Sequence, residues 1–179
     1  MRITVGVFAG IFDENGRILL RKRDEENSII PSRSYKGDWE LPGGTIEEDN
    51  MLRAANERII GQELAREVEE ETGLLIEVIS MPTMYPTVHV NKGRRTADFA
   101  FMIPVGVVKE KPTRGEIVYV SPKELRELAE SSKPGHIVSG WGGRMCRMAL
   151  VALCNSPSHQ YREEAQRMLS EIQESKREY

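Results

Sequence analysis

Arg66-Glu67-Val68-Glu69-Glu70-Glu71-Thr72-Gly73-Leu74 is the stretch from which the fold is read. Just upstream, Ile60, Leu64 and Val68 recur every fourth residue, the spacing of an apolar stripe on a helix. The pattern predicts a helix over Met51 to Thr72 with Gly73 as its stop. Asp49 or Asn50 stands where a cap belongs. Gly61 interrupts the pattern at a cost of about 1 kcal/mol relative to Ala, so two shorter helical pieces are the alternative to one. On such a helix Glu63, Glu67 and Glu71 share a row at i, i+4, and Glu70 lies one turn from Glu67. Four carboxylates then converge beside the stripe that anchors the helix. For the helix alone this is unfavourable: each like-charged pair costs roughly 0.2–0.5 kcal/mol, and acids in the last turn lose about 0.3–1 kcal/mol each to the helix dipole. Arg66, four residues before Glu70, recovers part of that. A divalent cation reverses the balance, because Mg²⁺ prefers carboxylate oxygens and keeps waters that a phosphate can replace. A run of glutamates is more often a solvated face, so the neighbouring sequence has to decide.

Leu41-Pro42-Gly43-Gly44 precedes the acidic helix, and paired glycines let backbone approach an ion or a phosphate, or simply make a tight turn. A short strand is expected around Trp39 to Leu41, after an exposed loop from Asp24 to Asp38. Residues 3–12 and 17–23 read as a hairpin about Asp13-Glu14-Asn15-Gly16. Further strand-like runs lie at Leu74 to Ser80, Thr83 to Val90, Ala97 to Val108 and Ile117 to Val120. Ser121-Pro122-Lys123-Glu124 combines a capping box with proline at the first helical position and starts a helix through about Ser131. Two more helices are expected near Arg144 to Cys154 and Pro157 to Lys176. Strands on both sides of a central helix, with helices following, indicate a layered α/β arrangement.

These pieces resemble the Nudix box, G-x5-E-x7-R-E-U-x-E-E-x-G-U with U aliphatic. Arg66, Glu67, Val68, Glu70, Glu71, Gly73 and Leu74 stand at each required place of its second half, and Trp39-Glu40-Leu41-Pro42-Gly43-Gly44 is similar to the family's approach to the box. The resemblance spans roughly residues 3–131. It implies an α/β/α sandwich with a mixed sheet, to which extra C-terminal helices of about 140–177 are added within one domain over 1–179. There is one departure: the segment between Gly44 and Arg66 is eight residues longer than the motif's, and neither Asn50 nor Arg58, the positions reached by counting from either end, is the expected glutamate. An insertion is inferred, with Glu57 or Glu63 as stand-ins for the missing carboxylate. The resemblance implies that Glu67, Glu70 and Glu71 hold Mg²⁺ or Mn²⁺, with Glu67 a candidate base and Arg66 orienting a carboxylate through a charge-assisted pair. The carbonyl of Gly44, or of Gly43, is a further candidate ligand, and Glu116 is the choice for an acid recruited from a later loop. The implied activity is hydrolysis of a nucleoside diphosphate linked to another moiety: a nucleoside triphosphate, nucleotide sugar or dinucleotide. The altered first half of the box leaves open a non-catalytic nucleotide-binding module of the same fold.

Composition bounds the alternatives. Of the 179 residues 39% are hydrophobic and 30% charged, which suits a soluble globular protein, and no apolar stretch is long enough to span a bilayer. A net charge of −3 and a pI near 5.8 give no basic footprint for a nucleic acid polymer. The N-terminus runs directly into a strand pattern rather than a signal peptide. Cys146 and Cys154 fall on one helix roughly 12 Å apart, too far to bridge, and two thiols without ligand spacing fit a reducing cytoplasm. Arg21 and Arg23, on one face of a strand, are candidates for substrate phosphates, and Trp39 or Tyr85 for stacking on a base; surface or core roles are the plainer alternatives. Arg94 and Arg95 read equally well as loop charges. Ser139-Gly140-Trp141-Gly142-Gly143 reads as a connector, or as a helix start whose amides hold an anion. Met145, Met148 and Ala152 suggest packing against the domain or against a second subunit in a homodimer.

Overall fold

The computed structural model describes residues 2–24, 36–46, 57–77, 85–91, 96–131, 135, 137 and 140–175. Period-two alternation divides the core between two sides of one sheet. In β1 (Arg2–Phe12), Val7, Ala9 and Ile11 face one side and Phe12 the other; in β2 (Ile18–Lys22), Leu19 opposes Ile18 and Leu20. In β6 (Thr96–Val107), Ile103 joins the first group and Ala100 and Met102 the second. The hairpin turn is held by the Asp13 carboxylate, which accepts from the backbone N–H groups of Asn15 at 3.0 Å and Arg17 at 2.9 Å, with Gly16 at φ 80°.

The two strands of this hairpin meet at Phe12 and Ile18 and then diverge. β1 pairs in parallel with β6 and antiparallel with β4 (Gly43–Thr45), while β2 pairs antiparallel with β3 (Trp39–Glu40) and with β7 (Ile117–Val120). β5 (Tyr85–Asn91) lies antiparallel along β6, so the sheet is mixed, in the order β3-β2-β1-β6-β5. The segment Trp39 to Thr45 therefore crosses from a partner on β2 to a partner on β1, with Leu41 and Pro42 between. That crossing places Glu40 and the two glycines where the strands part.

Helix α1 (Glu57–Thr72) covers one face, packing Ile60, Leu64 and Val68 on Val7, Ala9, Ile11, Leu19 and Ile103. Helices α2 (Pro122–Glu130), α3 (Arg144–Leu153) and α4 (His159–Ser175) cover the other. The result is the expected α/β/α sandwich. Met145, Met148 and Ala152 are buried inside this second core, so they pack against the chain's own sheet. Among the described residues no helix is long and apolar enough to cross a membrane.

One open alternative is decided and two local expectations change. α1 is unbroken through Gly61, because its stripe is fastened to the sheet on either side of the glycine; residues 51–56 and the cap positions 49 and 50 lie outside the described residues. Leu74 to Glu77, the described part of the strand expected at 74–80, is not a strand. There the Leu74 N–H donates to the Thr72 hydroxyl at 3.1 Å, Leu74 is buried beneath the helix end, and Leu75 turns outward with 74% of its area exposed. Gly43 and Gly44 form strand β4 rather than a turn.

The α2 start follows its sequence signal in full: Ser121 Oγ accepts from the Glu124 N–H at 3.3 Å, and Glu124 Oε2 accepts from the Ser121 N–H at 2.7 Å. The link from α3 to α4 is fastened to the hairpin turn. Ser156 Oγ–H donates to the Gly16 carbonyl at 2.7 Å, and a Cβ on Gly16 would come within 2.5 Å of that hydroxyl. Replacing Ser121 by Ala removes half of the capping box and is expected to lower stability by about 1 kcal/mol in denaturant titration, with no change in the sheet.

Candidate active site

The acidic row of α1 lies against the glycines of β4. Side chains of Glu63, Glu67 and Glu71 keep 16%, 19% and 13% of their area exposed, whereas Glu70 keeps 56%, so the row faces the sheet edge and Glu70 flanks it from outside. Glu67 sits directly over Gly44: a Cβ there would come within 2.5 Å of Glu67 Oε2. The Gly43 N–H donates to Glu71 Oε2 at 2.8 Å. A Cβ on Gly43, at φ 141°, would collide with the Val7 carbonyl oxygen. The β1 backbone leaves no room for a side chain at 43, and one at 44 would displace the Glu67 carboxylate.

The register also separates the two glycine carbonyls. Ile46 N–H donates to the Val5 carbonyl and Ala9 N–H to the Pro42 carbonyl, each at 2.8 Å, which makes Val7 and Gly44 the exchanging pair between them. The Gly44 carbonyl is thus turned toward β1, and the carbonyl at Gly43 lies on the opposite edge of the strand.

Two arginine clusters hold the acids. Arg66 reaches Glu63 Oε2 at 3.1 Å and Glu67 Oε1 at 2.5 Å through Nη2, and Glu70 Oε2 at 2.9 Å through Nη1. On the sheet side, Arg21 Nη2 donates to Glu40 Oε1 at 2.7 Å and contacts Glu71 Oε1 at 2.5 Å, while Arg23 Nη1 donates to Glu40 Oε2 at 2.7 Å. Arg21 and Glu40 are direct cross-strand partners on β2 and β3, and Glu40 is buried. Burial pushes the Glu71 carboxyl up to about 8, against the pull of Arg21 and the Gly43 N–H. Burial likewise raises Glu67 against Arg66, and Glu40 against both of its arginines. A divalent cation fits this set: buried carboxylates short of solvation, beside backbone carbonyls, are hard oxygen donors that gain from added positive charge. Among the described residues no group of three or more His, Cys, Asp and Glu side chains already stands gathered as a metal cage, since the arginines have divided the acids between them.

The residues expected at the site are thus only partly assembled. Glu67, Glu71, Arg66, Gly43, Gly44, Arg21 and Arg23 meet there, as does Glu63, one of the two stand-ins; the side chain of Glu57 lies outside the described residues. Arg21 and Arg23 share a face as expected, and both are committed to Glu40. Glu116 is apart, 63% exposed and paired with Lys22 at 3.0 Å. Trp39 is half-buried against the second core, with the Lys22 ammonium 5.7 Å from its ring centre. The side chain of Tyr85 and residues 94 and 95 lie outside the described residues. Gly143 is the N-cap of α3 and makes no side-chain capping bond, while Trp141 packs under the Arg126 guanidinium at 4.8 Å. Glu40 was not singled out by the sequence; its signal is an acid on a strand next to one bearing arginines at i, i+2.

A family model of the NUDIX domain matches residues 1–138. A MutT-like protein of Streptomyces ambofaciens is 27% identical over 124 residues, covering 69% of this chain and 68% of that protein. Among solved structures, the MutT protein from Methanosarcina mazei Go1 superposes with a TM-score of 0.54 at 20% identity, covering 95% of each chain; that likeness is one of fold. A NUDIX hydrolase from Nitrosomonas europaea gives a TM-score of 0.49 at 22% identity, over 74% of this chain and 82% of that one.

Glu71 binds its proton more tightly folded, at about 8, than at the ordinary value of 4.5. Its contribution to stability is therefore complete below the lower value and is lost as pH rises through the upper one. Without divalent cation, the melting temperature is expected to fall between pH 5 and pH 8, approximately, and Glu71→Gln to flatten that fall in scanning calorimetry. Gly44→Ala is expected to leave a folded protein in which Glu67 is pushed aside. Its melting temperature should rise less with added Mn²⁺ than the wild type's does; an equal rise would show that Glu67 does not need the glycine.

Proposed function

The chain belongs to the NUDIX domain family, and on that premise we propose that it is a Mg²⁺- or Mn²⁺-dependent pyrophosphohydrolase. Its substrate class is a nucleoside diphosphate linked to another moiety, whether a phosphate, a sugar or a second nucleotide, cut by water at the pyrophosphate. The observation that carries this reading is the contact of two partly buried acids with the β4 backbone, Glu67 over Gly44 and Glu71 on the Gly43 N–H. The names of the MutT-like relative and the MutT structure are in keeping with it.

In this reading Glu67, Glu70 and Glu71 hold the cation, and the register favours the carbonyl of Gly43 over that of Gly44 as the backbone ligand. A bound divalent ion supplies charge neutralisation for the phosphate oxygens and acidifies water at the site. The chain's own groups do the rest. Arg66 keeps Glu67 and Glu70 from splaying under their mutual repulsion, taking Oε1 of Glu67 and leaving Oε2 toward Gly44. Glu67 Oε2 is the acceptor for the proton of the attacking water, and burial, which raises its carboxyl above the ordinary value, makes it the stronger base. The Gly43 N–H fixes the direction of Glu71. Arg21 and Arg23 act here first as counter-charges to Glu40 rather than as free phosphate ligands. Glu116, paired with Lys22 at the surface, is a reserve ligand only if that pair opens. The unbridged thiols of Cys146 and Cys154 suit a cytoplasmic setting.

Incubation with nucleoside triphosphates, nucleotide sugars and dinucleotides plus Mg²⁺, with phosphate-containing products followed by chromatography, tests the activity and ranks the substrates. Cleavage of a member separates a hydrolase from a module that only binds nucleotide. On the best substrate, Glu67→Gln and Glu71→Gln are each expected to lower kcat by about 100-fold or more. Wild-type turnover in both variants would remove the mechanism.

A further inference from the structure

Glu40 lies too deep to meet a substrate. Its side chain is 2% exposed, and its oxygens are taken by Arg21 Nη2 and Arg23 Nη1, each at 2.7 Å. The same Arg21 nitrogen contacts Glu71 Oε1 at 2.5 Å, so one N–H₂ group is shared between a buried acid and an acid of the cation site. A further acid near Arg21, Asp24, is exposed and 3.9 Å away. Among the described residues, the buried Nε atoms of Arg21 and Arg23 have no hydrogen-bond partner. With both carboxyls ionised, as a bound cation would require of Glu71, the four groups balance as two positive and two negative charges.

We propose that Glu40 is a positioning residue for the reaction: sharing the Arg21 guanidinium with Glu71, it offsets the positive charge that touches Glu71 and so leaves Glu71 to a divalent cation. The inference rests on the cation site proposed above. Arg21 touches Glu71 Oε1 itself, so an uncompensated charge there repels the ion and competes for that oxygen. With Glu40 neutral, the Arg21 charge in contact with Glu71 is no longer offset. With Arg21 removed as well, the balance is restored. With Arg21 alone removed, the Glu40–Arg23 pair remains, and the cation meets one positive charge fewer.

The test is Mn²⁺ titration of the metal-free full chain, with the free ion read by electron paramagnetic resonance, on wild type, Glu40→Gln, Arg21→Gln and the double variant. Thermal melts establish that each is folded. Glu40→Gln is expected to weaken binding about tenfold or more, Arg21→Gln to tighten it beyond wild type, and the double variant to return within about threefold of wild type. In turnover, the loss in Glu40→Gln should fall on kcat, with KM little changed, and be recovered by raising Mn²⁺; Glu40→Asp should retain most of the activity. Folded Glu40→Gln that binds like wild type, or a double variant no better than Glu40→Gln, overturns the role of Glu40. Should Glu40→Gln not fold, Arg21→Gln decides by itself: binding unchanged or weaker than wild type is the overturning result. A wild type that binds no Mn²⁺ removes the cation site and this role together. A wild type that binds and cleaves, with the variants in another order, removes only the role of Glu40.

Discussion

The structure turns on a close approach: an acidic helix row pressed onto a strand whose Gly43 has no room for a side chain beside β1 and whose Gly44 lies directly under Glu67. Glu67 and Glu71 are desolvated by that contact, and desolvated carboxylates must find positive charge or take up protons. The Arg66 fork, the Arg21–Glu40–Arg23 cluster and the Gly43 N–H are three answers to the same demand. The last two depend on the divergence of β1 and β2, which gives the Trp39 to Thr45 segment two different partners within a few residues. The apolar stripe of α1 fixes the height of the acids above the glycines.

The long periodic features were legible from the residues in order. The stripe through Ile60, Leu64 and Val68, the stop at Gly73 and the Ser121 capping box each carry their signal within one or two turns of chain, and the structure contains all three. So does the alternation that splits the core to both sides of the sheet. Strand existence was read well for β1, β2, β6 and β7, whose side chains are sorted by the sheet itself. Leu74 to Glu77 misled because apolar content alone does not distinguish a strand from a segment tucked under a helix end.

At the site, what could be read was what lies on one element. The i, i+4 row and the arginine among its acids follow from helix geometry. Glu40 and the reason for Gly43 could not be read that way, because the decisive partners are distant in the chain: Arg21 and Arg23 for the one, the Val7 carbonyl for the other. A glycine required by a neighbouring backbone and a glycine required by a turn look identical in a sequence. For the same reason Arg21 and Arg23 seemed available for phosphate until the strand beside them was known to carry their counter-charge.

The C-terminal helices lie beyond residue 138, where the family match ends, yet they supply much of one side of the core. α3 lays Met145, Met148, Ala149 and Ala152 against the sheet, and Ser156 fastens the following bend to the Gly16 carbonyl. The Leu41 N–H, one residue from Glu40, also lies 3.4 Å from Met145 Sδ. A segment outside the recognisable motif is thereby part of the foundation on which the glycine strand rests. Divergence among relatives in this helical layer would reshape the floor of the site without altering any of its acids.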